Sequence, residues 1–117
     1  MRLGAIEAQF ADMIWERAPI AMSELVQLCE EEFGWKRTTT YTVLKRLNER
    51  NLFCNNKGTV EAMISREDFY AQQSEELINT AFGGSLPAFL NAFARRKPLD
   101  EKEIEEMKRL IDSYEEK

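Results

Sequence analysis

"RTTTYTVLKRL" occupies Arg37–Leu47. Threonine and tyrosine are mediocre helix formers, yet Thr40, Val43, Leu44 and Leu47 recur at helical spacing. The pattern predicts a helix over 38–50, with Asn51 suited to a left-handed C-terminal position. On a 3.6-residue cylinder those four residues face inward. Thr38, Tyr41, Thr42 and Lys45 then form an outward stripe, flanked by Thr39, Arg46 and Arg50. Threonine hydroxyls suit base edges or phosphates, threonine methyls suit thymine methyls, and Lys or Arg suits guanine or phosphate. Small polar residues at the start of such a helix permit close approach to a groove. The bland alternative makes Thr38 an N-cap and leaves Lys45 and Arg50 as solvated charges beside Glu49.

The charge distribution favours the sharper reading. The chain of 117 residues carries a net charge of −5, which taken alone argues against nucleic acid. Between Lys36 and Lys57, however, six cations (Lys36, Arg37, Lys45, Arg46, Arg50, Lys57) face the single acid Glu49. That segment is +5 in a chain whose remainder is −10. A local basic footprint matters more to a polyanion than the mean does.

The neighbours of this helix set the fold class. Ile6, Phe10, Met13 and Ile14 predict an amphipathic helix before Pro19, with Trp15 off its main stripe. Leu25, Val26, Leu28 and Cys29 predict a second, from Ser23 to Phe33, stopping at Gly34. After the third helix, "LFCN" and "TVEAMI" are short β-prone stretches around "NKG", where Asn56 and Gly58 supply turn geometry. Three helices and a hairpin in that order are a winged helix-turn-helix, with Lys57 at the wing tip. A second composition begins at Ser65. Ser65 and Asp68 cap a helix that stops at Gly83-Gly84; Ser85 caps another, which ends at Pro98; Asp100 and Glu103 cap the last. Leu86, Phe89, Leu90 and Phe93, then Ile104, Met107, Leu110, Ile111 and Tyr114, make narrow apolar stripes that cannot enclose a core in so short a segment. Pairing with a second copy is the expected remedy. The reading is thus a mainly α chain with a small β-hairpin: a winged-helix DNA-binding domain over 1–65 and a helical dimerisation region over 66–117.

Other function classes are thinly supported. Histidine is absent, removing the commonest general base and metal ligand. Runs such as Glu30-Glu31-Glu32 and Glu115-Glu116 read as solvated surface. No phosphate loop, nucleophile motif, metal-ligand spacing or cofactor motif is present, so neither an enzyme nor a metal site is expected. No apolar run reaches the roughly 18 residues of a membrane span. The N-terminus lacks a signal-peptide apolar region, so a cytoplasmic protein with Cys29 and Cys54 as free thiols is expected.

With these residues in place, the sequence resembles the penicillinase-repressor family of dimeric winged-helix repressors. "LGAIEAQFADMIW" resembles its opening helix and "TTTYTVLKRLNERNL" its recognition helix. "FGGSLPAFLNAFA" and "LDEKEIEEMKRLI" resemble its dimerisation helices. The resemblance implies a homodimer on a dyad-symmetric operator, repressing genes such as those of β-lactam resistance. It also implies relief by proteolysis when a membrane sensor protease signals. The family's Asn-Phe cleavage bond aligns with Ala92-Phe93, next to Asn91. The paired C-terminal cysteines of its copper-responsive branch have no counterpart here. Ala21 stands where many members carry a capping Thr, Asn51 where glycine is usual, and Val60-Glu61-Ala62 where an aromatic, basic strand is common. Beside the repressor stands a reading as a winged-helix protein-interaction module without a DNA target; the +5 segment favours the repressor.

Overall fold

The computed structural model describes residues 3–115; Glu116, read with Glu115 as solvated surface, lies outside them. The order is α1 (Ala5–Arg17), β1 (Ile20–Ala21), α2 (Met22–Phe33), α3 (Arg37–Glu49), β2 (Phe53–Asn56), β3 (Thr59–Ala62), α4 (Arg66–Phe82), α5 (Leu86–Arg96) and α6 (Glu101–Glu115). The chain divides into two compact units, Met1–Ser74 and Glu75–Lys117, so the division falls inside α4, beyond the change of composition at Ser65.

The first unit is a winged helix. Its core joins Phe10, Ala11 and Ile14 of α1, Leu25 and Cys29 of α2, Val43, Leu44 and Leu47 of α3, and Phe53 and Val60 of the sheet. Each of these side chains is at least nine-tenths buried, which for a Leu, Phe or Ile is worth roughly 1.5–3 kcal/mol of transfer free energy. Ile6, placed by the sequence on the inner stripe of α1, is instead 50% exposed. The stripe begins one turn later, at Phe10.

The sheet has three strands, in the order β1-β3-β2 and antiparallel throughout. Sequence patterning predicts only the β2–β3 hairpin. A two-residue strand is too short to show alternation, and β1 exists because Ile20 and Ala21 pair with Val60 and Thr59. The same contact serves α2: Met22 N–H donates to Gly58 O at 2.8 Å, so the wing carbonyl satisfies one of the free amides at the start of a helix whose N-cap, Ala21, has no side-chain acceptor. The wing turns at Lys57 and Gly58, both left-handed (φ 53° and 89°), rather than at Asn56. Two such residues in a two-residue loop match the twist of the strands. Asn55 Oδ1 accepts the Gly58 N–H at 2.9 Å.

The N-termini of α4, α5 and α6 carry the caps expected of them. Ser65 Oγ accepts from Asp68 N at 3.0 Å, and Ser85 Oγ accepts from Ala88 N at 3.1 Å. Asp100 and Glu103 bond reciprocally, at 2.8 and 3.4 Å. Trp15 departs most from expectation. Its rim position on α1 becomes half-buried because Phe53, Phe69 and Tyr70 gather round it at ring-centroid distances of 5.3, 5.7 and 6.2 Å. Its Nε1–H donates to Ile64 O at 2.9 Å.

Thr40 is wholly buried, and its hydroxyl lies beside the Cys29 thiol without a well-formed hydrogen bond. An unsatisfied buried hydroxyl costs about 1–3 kcal/mol. Thr40→Val, of nearly equal volume, is therefore expected to raise stability by roughly 1 kcal/mol in urea unfolding; a loss would mean that the hydroxyl has a partner worth keeping. Burial pushes the Cys29 thiol pKa up, the Thr40 hydroxyl opposing it weakly. The unfolded chain ionises first as pH rises past about 8.5, so stability falls there. Cys29→Ala is expected to flatten that fall.

Candidate nucleic-acid interface

The helix α3 is delivered by a tight turn. Gly34 takes φ 67°, where a side chain would be strained, and ends α2 by donating to Glu30 O at 3.0 Å. Trp35 then fills the corner, 4.7 Å from the Phe33 ring and 5.4 Å from the Phe10 ring. Two residues after the glycine, Lys36 is the N-cap of α3, with extended backbone and no side-chain cap.

That makes the start of α3 electrostatically anomalous. A helix N-terminus carries a partial positive charge and favours acids and oxygen caps. The first turns of α1, α2, α4 and α6 each hold at least one acid, and α5 has its serine cap. Only α3 opens with Lys36 and Arg37, without acid or cap. Thr38, open to reading as an N-cap, lies inside the helix as its second residue. It offers its carbonyl to Thr42 Oγ1 at 2.8 Å, so the Thr42 hydroxyl proton is spent on the backbone.

The outward stripe is where the helical wheel places it. Thr38, Tyr41, Thr42, Lys45 and Arg46 are exposed, Thr39 is half-buried, and Thr40, Val43, Leu44 and Leu47 are buried. Arg37 donates to Tyr41 Oη at 3.3 Å, and its guanidinium lies 5.4 Å from the ring centroid. The pair holds a cation and an aromatic edge over the first turn of the helix. A shallow depression lined by Tyr41, Thr42, Leu44, Lys45, Asn48 and Asn55 connects α3 to the wing strand β2. Asn48, absent from the sequence-based set, belongs there. With its amide turned to satisfy its neighbours, its nitrogen donates to Phe53 O at 2.9 Å. Lys57 is exposed at the wing tip. Arg50, expected to flank the outward stripe, is half-buried, its guanidinium 5.7 Å from the Phe69 ring centroid.

The second unit carries a different signal. Helices α5 and α6 have no buried residue. Leu86, Phe93, Leu110 and Ile111 are 41–58% exposed, Ile104 is 36% exposed, and Phe89, Leu90 and Met107 are half-buried. A ring contact of 5.5 Å between Phe82 and Phe89 joins α4 to α5, and Phe89 and Phe93 lie 6.1 Å apart within α5. Among the described residues no cluster of His, Cys, Asp or Glu could hold a metal ion, and no helix is long and apolar enough to cross a membrane.

A helix-turn-helix with a three-stranded wing and a cation-rich outer helix defines a winged-helix transcription regulator. The family profile described as penicillinase repressor matches residues 3–113, and the chain belongs to that family of repressors, which are not enzymes. It is 20% identical over 121 residues to the penicillinase repressor of Staphylococcus aureus, covering 100% of this chain and 96% of that protein.

The uncapped start of α3 has a measurable cost. Lys36→Ser supplies an oxygen cap at an extended backbone position and removes a cation from the positive end of the helix. It is expected to stabilise the protein by about 1 kcal/mol in thermal or urea unfolding. An unchanged midpoint would show that the Lys36 position is not a strained cap.

Proposed function

We propose that this repressor acts as a homodimer on a dyad-symmetric DNA operator, each copy placing α3 in the major groove of one half-site. The observation that carries the proposal is the uncompensated positive start of α3. Lys36 and Arg37 at an uncapped helix N-terminus are unfavourable for the free protein and favourable once a phosphate arrives. Lys36, Arg37, Arg46 and Lys57 are assigned to phosphates, which position the helix. Thr38, Tyr41, Thr42 and Lys45 are assigned to base edges, which specify sequence. Thr39 flanks the stripe, its partial burial limiting it to backbone contact. A module serving only protein partners has no use for cations gathered at an open helix start, which ranks that reading second.

The homodimer is supported by α5 and α6. A helix pair with no fully buried residue within one copy leaves Leu86, Phe89, Leu90, Phe93, Ile104, Met107, Leu110 and Ile111 for a second copy. Two-fold symmetry would then impose dyad symmetry on the operator. Ala92 and Phe93, aligned with the family's cleavage bond, lie within α5. Cutting there by a sensor-controlled protease requires α5 to open, and the cut would fall among the dimer residues themselves.

Duplexes selected from a random pool supply the probe. Arg46→Ala is expected to weaken binding to all duplexes alike and to reduce the log–log salt slope by about 0.9 per copy. Thr42→Ala is expected to change preference at one base pair, by an amount on the order of 1 kcal/mol. An Arg46→Ala variant with unchanged affinity and slope would remove Arg46 from the interface. Failure of the wild-type protein to select any sequence at low salt would overturn the operator reading.

A further inference from the structure

The first turn of α4 is tied to the winged helix from two sides. From α1, Asp12 Oδ1 accepts from Arg66 Nε at 2.8 Å, and the Arg66 guanidinium sits 4.9 Å from the Tyr70 ring centroid. From the C-terminal end of α3, the Arg50 guanidinium sits 5.7 Å from the ring centroid of Phe69, itself 97% buried. Between them stands Trp15, packed on Phe69 and Tyr70 and bonded to the Ile64 carbonyl just before the Ser65 cap. The helix α4 then continues without a break to Phe82.

We propose that Arg50 and Phe69, with Trp15 and the Asp12–Arg66 pair, clamp the start of α4 to the reading helix and thereby determine which half-site spacing the repressor accepts. The inference rests on the dimeric operator reading above. Arg50 is the C-cap residue of α3, so it is fixed to the helix that reads DNA. Phe69 is in the first turn of the helix that leads to the partner copy. A cation–π contact between them is directional. It holds the azimuth of one helix against the other, where apolar packing alone would let α4 rock. Arg50 is thus a positioning residue, distinct in role from the phosphate-facing Arg46.

The test uses the full-length protein and a dyad duplex selected by the wild type from a random pool, together with versions carrying one or two base pairs inserted at the dyad centre. Arg50→Met keeps the apolar stem and removes the cation; Asp12→Asn loosens the other side of the clamp at a half-buried position. In each variant, discrimination between the selected and the inserted duplexes is expected to fall by about tenfold, the loss of a directional contact in each of two copies. The salt slope is expected to stay unchanged. Phe69→Leu, which retains an apolar side chain, should reproduce the loss if thermal unfolding shows it folded. If Arg50→Met instead lowers affinity equally for all spacings and reduces the slope by about 0.9 per copy, Arg50 is a phosphate contact and the clamp is overturned. Unchanged discrimination in both Arg50→Met and Asp12→Asn overturns it as well. If the wild type selects no dyad, it is the operator reading that fails, and the spacing role falls with it.

Discussion

Burial of the inner face of α3 is the interaction on which the rest depends. Val43, Leu44 and Leu47 are fixed against α1, α2 and the sheet, and together their burial is worth several kcal/mol. That is enough to hold a helix whose own preferences are poor. Threonine and tyrosine lower its propensity, Lys36 leaves it uncapped, and Lys36 and Arg37 oppose its dipole. Because stability comes from one face, the other is free to be chosen for a polyanion. The Thr42 hydroxyl, folded back on the Thr38 carbonyl, leaves a methyl and oxygen lone pairs for whatever the stripe meets.

The wing and the turn before α3 serve the same end by local means. Gly34 sets the sharp corner and Trp35 fills it, so the angle between α2 and α3 comes from packing rather than from a long loop. The Lys57–Gly58 turn projects a cation from the wing while the Gly58 carbonyl caps α2. One backbone segment therefore supplies a candidate phosphate contact and closes the start of α2, the helix preceding α3. Displacing the wing tip should disturb both.

Features carried by local pattern were legible in the sequence. The inner and outer faces of α3 follow from a 3.6-residue period, and the caps at Ser65, Ser85 and Asp100 follow from spacing. Gly34 and Asn51 were placed at helix ends by residue type alone. What escaped depended on distant partners. The strand β1 is two residues whose only signal is β3, and Trp15 lies off its own helix's stripe because its neighbours come from the wing and from α4. Arg50 looked like one more cation in a basic segment, and nothing local reveals a phenylalanine 19 positions later lying under it. Asn48 escapes sequence patterning for the same reason: its bond to Phe53 exists only once the chain has folded back.

The outer face of α3, from its uncapped start, is the surface proposed to meet DNA. Backbone amide chemical shifts of the isotope-labelled protein, followed as a selected duplex is added, test it directly. Large shifts are expected at Lys36–Arg46 and at Lys57–Gly58, with little change along the acidic run Glu30-Glu31-Glu32 of α2. Shifts concentrated on α2, or on α5 and α6 with α3 unmoved, would contradict it.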